Sequence, residues 1–408
     1  MPSILIISEK IPSPEFASTT RTYHAIKHLF TKYKFKITLV SLSALDESPQ
    51  YLNELKGYCE DIHIVDQPQY SSNWSRQRLF YAAKEFLPSL KIKSLLSSIT
   101  NVRYSLGLQR KIEDVTSKKK FDLIYCNCFA LYFSLPKTNS ISIFDAQSVE
   151  SVTFYQMAKV ERNLFIKLIY LLQSYKAKYY ENKCLLFDNW ICICSADDKI
   201  LKSRYPFLKT YVIPFGIDVD YYKSSGIYKE EIHSLAMIAS MNVPHNIHAA
   251  LHFCNNIYPI VRSSFQDIKF YIVGRNPPPE ILSLANTSDI FVTGYVNDIR
   301  PYLEKATLVV IPQLAGTGTK VKVLEAMAMG KPIISTSIGV SGLDYPIDDS
   351  IIIAYTPKKF ANSIIELLNN EKLRLDMRNK SISYIESHYS LNYSTEQLGI
   401  LLMRLLNM

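Results

Sequence analysis

The sequence predicts an α/β chain of two domains, each a parallel β-sheet with helices on both faces. Three observations predict it. Short apolar, β-branched runs alternate with helix-patterned stretches in two successive series. Between the series lies a lysine- and serine-bearing segment, YYKSSGIYKEE (221–231), that reads as a linker. At 408 residues the chain is long enough to bury two cores of ordinary size. The expected domains are 1–220 and 226–390, with 391–408 a terminal helix able to pack back across the junction.

In the first series, runs rich in Val, Ile, Tyr and Phe place strands at 4–8, 35–42, 61–65, 121–127, 140–144, 189–194 and 210–215. Helices fit at 19–33, 75–99 and 149–187; the stretch 137–205 has neither Gly nor Pro, which suits one or two long helices followed by a buried strand. In the second series strands fit at 234–240, 268–274, 290–294, 307–312, 332–336 and 350–355. Helices fit there at 246–261, 299–305, 321–329, 357–369 and 371–389. Two open parallel sheets bind ligands outside their strand carboxyl ends, so a cleft between the domains is the expected active site.

Composition bounds the function. With 48% hydrophobic and 20% charged residues the chain is globular. The opening MPSILIIS reads as a first strand and not as a signal peptide. The uncharged stretch between Glu231 and Arg262 contains Asn242, Pro244, His245, Asn246, His248, Asn255, Asn256 and Pro259, which a bilayer would reject. The seven cysteines, without an export signal, suggest reduced thiols and a cytoplasmic setting. The pairs Cys126/Cys128 and Cys192/Cys194 lack the spacing and further ligands of a metal site and read as core.

The net charge of +9 is uneven: residues 1–225 hold 30 Lys/Arg against 21 Asp/Glu, and residues 226–408 hold 16 of each. Such a field attracts an anionic lipid surface, a phosphorylated acceptor or nucleic acid, and equally serves solubility alone. Of these, the reading takes an anionic membrane met by the basic N-terminal domain, a peripheral position at the inner face, and no nucleic acid. The segment Trp74–Leu106, with six Lys/Arg among large apolar residues, is either a basic amphipathic surface helix or, as Pro88 favours, an ordinary domain helix.

The segment that carries chemistry is 311–343. A strand ending at Pro312 leads into Ala315-Gly316-Thr317-Gly318-Thr319, then into a helix bearing Glu325. Glycines let backbone approach a ligand, and a helix N-terminus offers N–H groups to an anion. Lys320 and Lys322 add positive charge, and Glu325 can accept hydrogen bonds from sugar hydroxyls. A diphosphate and a ribose fit this pattern; so does a plain turn, and spacing alone leaves both open.

Lys322-Val323-Leu324-Glu325-Ala326-Met327-Ala328-Met329-Gly330-Lys331-Pro332 resembles the donor-binding signature of the GT4-like retaining glycosyltransferases, also called glycosyl transferases group 1. The resemblance implies the GT-B fold, two Rossmann-like domains whose parallel sheets face each other across a cleft. It implies that Glu325 binds the ribose of a UDP- or GDP-linked sugar. Many members carry a second Glu where this chain has Thr317, and many carry an Arg and a Lys around the loop matching Ser240–Asn246, a charge that Lys320 or Lys322 would take over. Gly274, Arg275, Gly294, Tyr295 and Val296 match loops bordering the base pocket, and Gly316, Thr317, Gly318, Thr319 and Asn246 complete the donor site. Ile213–Asp218, Tyr180-Glu181 and Ser195-Ala196-Asp197 match further elements in the family's order.

On the acceptor side, Ser18 and Arg21 match a loop and a basic position after the first strand, Arg21 reading equally as a solvated residue of a first helical turn. Asp145–Glu150 resembles an Asp-x-His-Asn-Val-Glu element with Gln147 in place of the His that faces the reacting sugar. Glutamine carries no proton at neutral pH, so the implied mechanism lets the leaving diphosphate take the acceptor's proton. Catalysis then rests on positioning and charge stabilisation by Glu325, Lys320, Lys322 and Gln147. No Asp-x-Asp is placed to hold a metal, since Asp218-Val219-Asp220 sits at the linker and reads as a turn or cap. The reading is therefore a metal-independent hexosyltransferase-like enzyme with a nucleotide-sugar co-substrate, a glycan or lipid-linked acceptor, and a place in cell-surface polysaccharide synthesis. A nucleotide-sugar 2-epimerase and a non-catalytic nucleotide- or partner-binding member are the alternatives.

Overall fold

The computed structural model describes residues 1–14, 17–43, 49–66, 106–127, 138–344 and 349–407. The helix expected at 75–99, the segment Trp74–Leu106 up to residue 105, and Cys128 lie outside these residues.

The thirteen strands of the described residues fall where the apolar runs place them. The first series gives β1 (Ser3–Ser8), β2 (Lys36–Leu42), β3 (Asp61–Val65), β4 (Leu123–Cys126), β5 (Ile141–Ala146), β6 (Asn189–Cys192) and β7 (Lys209–Val212), in a sheet ordered β3-β2-β1-β4-β5-β6-β7. The second gives β8 (Ser234–Ile238), β9 (Lys269–Val273), β10 (Ile290–Gly294), β11 (Leu308–Ile311), β12 (Ile333–Ser335) and β13 (Ile351–Ile353), ordered β10-β9-β8-β11-β12-β13. Every pairing is parallel, for example Ile4 opposite Ile37 and Ile333 opposite Ile351. Parallel strands covered on both faces read as unbroken apolar runs, which is why they were legible. The chain is thus α/β with two Rossmann-like sheets, as expected.

The helices among the described residues are α1 (Ala17–Thr31), α2 (Pro49–Leu55), α3 (Leu106–Lys118), α4 (Glu150–Val160), α5 (Leu164–Lys183), α6 (Ser195–Arg204), α7 (Pro244–Asn256), α8 (Tyr258–Ser264), α9 (Pro279–Leu282), α10 (Arg300–Lys305), α11 (Val321–Ala328), α12 (Pro357–Asn369), α13 (Glu371–His388) and α14 (Leu391–Leu405). The stretch 149–187 breaks into α4 and α5 because Glu161 turns extended and the Asn163 side chain caps the amides of Phe165 and Ile166. Thr356, Asn370 and Ser390 cap α12, α13 and α14 in the same way. No described helix is long and apolar enough to cross a membrane.

By compactness the chain divides into residues 1–144 with 182–187, and residues 145–181 with 188–408. In the first unit β1, β2 and β4 supply a core of Ile4, Ile6, Leu39, Val40 and Ile124. In the second, side chains alternate across the sheet. Leu235, Met237, Leu308 and Val310 meet Phe253, Phe270 and Phe360 on one face. Ala236, Ile238, Val309 and Ile311 meet Leu324, Met327 and Ile385 on the other.

The segment 221–231 is pinned: the buried Glu304 accepts hydrogen bonds from Ser224, Ser225, Gly226 and Tyr228. Burial alone would raise its carboxyl, but those donors overcome it and hold it down at about 2. Helix α14 returns along 214–217, where Ile217 N–H donates to Tyr389 O at 2.7 Å, Leu391 N–H donates to Ile217 O at 2.9 Å, and Ser394 donates to Pro214 O. Its Arg404 lies 5.3 Å over the Tyr211 ring of β7.

Candidate active site

In the second sheet the chain winds one way from β8, to β9 and β10, and the other way from β11, to β12 and β13. Connections that diverge in this way leave a crevice outside the carboxyl ends of β8 and β11. Strand β8 leads into Ser240 and the first turn of α7, with His245 and Asn246; strand β11 leads into Gln313, the 315–319 turn and α11. The crevice therefore collects residues from two connections that are far apart in sequence.

They form one polar network. The Asn246 carboxamide oxygen accepts from Gln313 Nε2 at 2.7 Å and from Lys322 Nζ at 2.9 Å, while its amide donates to Ser240 O at 2.9 Å. Lys322 also donates to Gln313 Oε1 at 3.1 Å. Lys320 Nζ donates to the carbonyls of Gly316 at 2.9 Å and Gly318 at 3.0 Å. Both ammonium groups are met by neutral oxygens and, among the described residues, neither by a carboxylate. Burial pulls the Lys320 amine down to about 8 despite the attraction of Asp197. Burial and then the repulsion of Lys320 pull Lys322 down to about 7, and burial with both lysines pulls His245 to about 3. Two amines of depressed basicity and a neutral imidazole thus share one half-buried place.

Glu325 lies three residues after Lys322 on the same face of α11, whose other face buries Val323, Leu324, Ala326 and Met327. Its Oε1 accepts from the Tyr222 hydroxyl at 2.9 Å, and among the described residues no hydrogen-bond partner faces its Oε2. The side chain keeps some solvent access, yet the protein packed around it pushes the carboxyl up, against the lowering effects of Tyr222 and Lys322. Tyr222 comes from the linker; its neighbour Tyr221 stacks 3.9 Å under Arg300, which is clamped on Asp298. Helix α11 stops where Gly330, at φ 64, and Lys331 return their amides to Met327 O and Ala326 O, a closure that needs the glycine's left-handed backbone.

The glycine turn itself differs from the expectation. The Gly316 amide donates to Gln156 Oε1 at 2.8 Å, the Thr317 amide to Thr153 Oγ1 at 3.1 Å, and the Gly318 amide to Asp197 Oδ1 at 3.2 Å. The Thr317 hydroxyl takes up the backbone amide of Val149 at 2.9 Å. Three N–H groups of the turn are therefore satisfied by side chains of α4 and α6. Asp197 is buried, which raises its carboxyl to about 6. Gly318 has φ 69, and a Cβ there would lie 2.5 Å from Gln147 O, so only glycine lets the turn close on this strand end.

The remaining expected residues divide between this neighbourhood and other places. Gln147 and Glu150 lie beside this turn; Glu150 accepts from Ser148 at 2.8 Å, and burial raises its carboxyl. Thr319 donates towards Gly342 O at 3.1 Å. Arg275 donates to Ser240 Oγ at 3.1 Å, and Gly274 packs so tightly on Ala239 O that a Cβ would clash. Gly294 has φ 71, Tyr295 is exposed, and Val296 packs under the sheet. Ser18 and Arg21 lie on α1 in the first unit, with Arg21 buried and not solvated. Asp218 accepts from the Tyr221 amide at 3.0 Å, the turn role expected of it. Cys192 and Cys194 are both buried, and burial raises the Cys194 thiol to about 12, as suits core packing. Sequence reasoning missed Tyr222, Thr153, Gln156 and Gln313; His245 was legible only as part of a loop.

Residues 233–370 match the model of the family described as glycosyl transferases group 1. A protein of Klebsiella pneumoniae, described as an uncharacterized 44.6 kDa protein in the cps region, is 22% identical over 347 residues, 80% of this chain and 87% of its own. The crystal structure of TarM, known from S. aureus, superposes over 100% of this chain and 99% of its own at TM-score 0.68 and 14% identity. Anabaena HepE in complex with UDP-glucose superposes over 99% and 100% at TM-score 0.63 and 13% identity. Full-length likeness in fold gives the chain the GT-B architecture, and its residues 233–370, across the second sheet, are similar to the glycosyl transferases group 1.

Proposed function

We propose that the protein transfers a sugar, with retention, from a UDP- or GDP-linked donor to a glycan or lipid-linked acceptor, acting from the cytoplasmic side in cell-surface polysaccharide synthesis. The observation that carries this reading is the set Lys320, Lys322 and His245, half-buried together at the switch point with their basicity depressed. A diphosphate placed there supplies the negative charge they lack, and Glu325 Oε2 stands ready for a ribose hydroxyl. The relatives support the same reading: a TarM structure holds UDP with alpha-GlcNAc-glycerol, HepE holds UDP-glucose, and the Klebsiella relative is encoded in a cps region.

As the diphosphate leaves, the two lysines stabilise its growing charge. Gln147 has no proton to give or take at neutral pH, so the leaving phosphate oxygen accepts the acceptor's proton in this scheme. Lysine charge doing the work of a divalent cation makes the proposed reaction independent of added metal. The satisfied amides of 316–318 favour one competing reading, a non-catalytic nucleotide binder. Thermal shift with UDP and GDP, followed by donor hydrolysis and transfer assays of the parent and Glu325→Ala, tests the assignment. UDP or GDP is expected to stabilise the parent, and the variant to lose nucleotide affinity and turnover about tenfold or more, the worth of one charge-assisted hydrogen bond. A variant with full affinity and rate refutes the site; nucleotide binding without turnover selects the non-catalytic reading.

A further inference from the structure

We propose that the outward face of helix α5 docks the protein on an anionic lipid bilayer. The helix carries apolar residues on its outer face as well as its inner one. Its inner face buries Ile169 and Tyr170 but also Gln173 and Glu181, the latter held by Ser151 and by Arg204 at 3.0 Å. Its outer face shows Leu164, Phe165, Leu168, Leu171, Leu172 and Tyr175 to solvent, with Leu164 82% and Tyr175 76% exposed. Isolated exposed leucines need no explanation, but a contiguous apolar stripe along one helix marks an interaction surface.

The charges beside the stripe choose the occupant. Between residues 151 and 180 the sequence has five basic residues, Lys159, Arg162, Lys167, Lys176 and Lys178, against a single carboxylate, Glu161. Lys159, Arg162 and Lys178 are exposed, and Glu161 is half-buried and accepts from the Asn163 amide at 2.8 Å. A second copy of this chain would bring like charge against like charge around the same stripe. An anionic membrane offers both what the leucines need and what the cations need: acyl chains at the centre and phosphate at the rim. Leu164 to Tyr175 spans about 16 Å at 1.5 Å per residue, a length that lies in the interface plane. The docking face is separate from the donor crevice, so its role holds whether or not the donor site is rightly assigned.

Sedimentation of the full chain with vesicles of phosphatidylcholine alone and of phosphatidylcholine mixed with phosphatidylglycerol tests it. The parent is expected to bind the anionic vesicles at least tenfold more tightly, and added salt to weaken that binding. Leu168→Ser with Leu172→Ser, and separately Arg162→Glu with Lys178→Glu, are each expected to lose at least tenfold while keeping the parent's response to UDP. If the serine variant melts early, the charge-reversed one decides. Absence of binding to anionic vesicles, equal binding to neutral ones, or variants that bind like the parent overturns the proposal. A concentration-dependent dimer abolished by the serine variant, without vesicle binding, overturns it in favour of a second copy.

Discussion

Lys322 meets two side-chain carbonyls, those of Asn246 and Gln313, and among the described residues no salt bridge balances its charge. An amine so placed yields its proton near neutral pH unless an anion arrives, which makes it the most sensitive reporter of what the crevice binds. Glu325 depends in turn on Tyr222, whose hydroxyl fixes Oε1 and leaves Oε2 for a ligand. Tyr222→Phe removes that donor while keeping the ring. It is expected to weaken UDP binding about threefold to tenfold and to narrow the preference for UDP over its 2′-deoxy analogue, because a freed carboxylate turns away from the ribose. Binding competitions between the two nucleotides measure this; an unchanged preference would place Tyr222 in a purely structural role.

Helix α4 and the 316–318 turn act as one element. Thr153 and Gln156 satisfy amides that an anion would otherwise use, so any ligand reaching those amides competes with the protein's own side chains. Thr153→Val keeps shape and removes the acceptor, which leaves the Thr317 amide without it. The free protein is expected to lose about 1–3 kcal/mol of stability, the cost of an unsatisfied buried donor. UDP is expected to bind a few-fold more tightly, the competitor being gone. Denaturant titration and nucleotide binding report the two effects, and unchanged UDP affinity would show that the anion does not use that amide.

Elements of this kind also set what the sequence could reveal. The strands were legible because a parallel sheet buried on both faces demands apolar runs of defined length, as at β1 and β8. Helices α2, α3, α6 and α9 were not foreseen; in the short α6, the polar SADDKILKSR gives little apolar period. The Lys320–Lys322–Glu325 spacing was readable because one helix carries it. The contacts of Thr153, Gln156 and Tyr222 were not, because they join residues more than a hundred positions apart, as Tyr222 and Glu325 do.

At the scale of the whole molecule, two sheets of like winding carry unlike charge. The excess of basic over acidic residues lies in residues 1–225, whereas the balanced second half holds the half-buried Lys320 and Lys322 of the proposed donor crevice. Under the proposed function, long-range attraction of anionic partners belongs to one half and the specific grip on a diphosphate to the other. Lys322 sets the sign of the coupling. Free, its amine sits at about 7, below its ordinary value of 10.5; a bound diphosphate stabilises the ammonium and moves it back upward. Above pH 7 the complex then holds more protons than the separated partners, so binding takes up a proton and weakens as pH rises, by up to about tenfold per unit.

Calorimetric titration of UDP into the parent and Lys322→Met, between about pH 7.5 and 9, where the phosphates are fully ionised, puts this to the test. Repetition in two buffers of different ionisation enthalpy counts the protons taken up. The account expects net proton uptake and falling affinity with pH in the parent, and binding about tenfold or more weaker, with a flatter pH dependence, in Lys322→Met. UDP binding of equal strength in both proteins, without proton uptake, would contradict it.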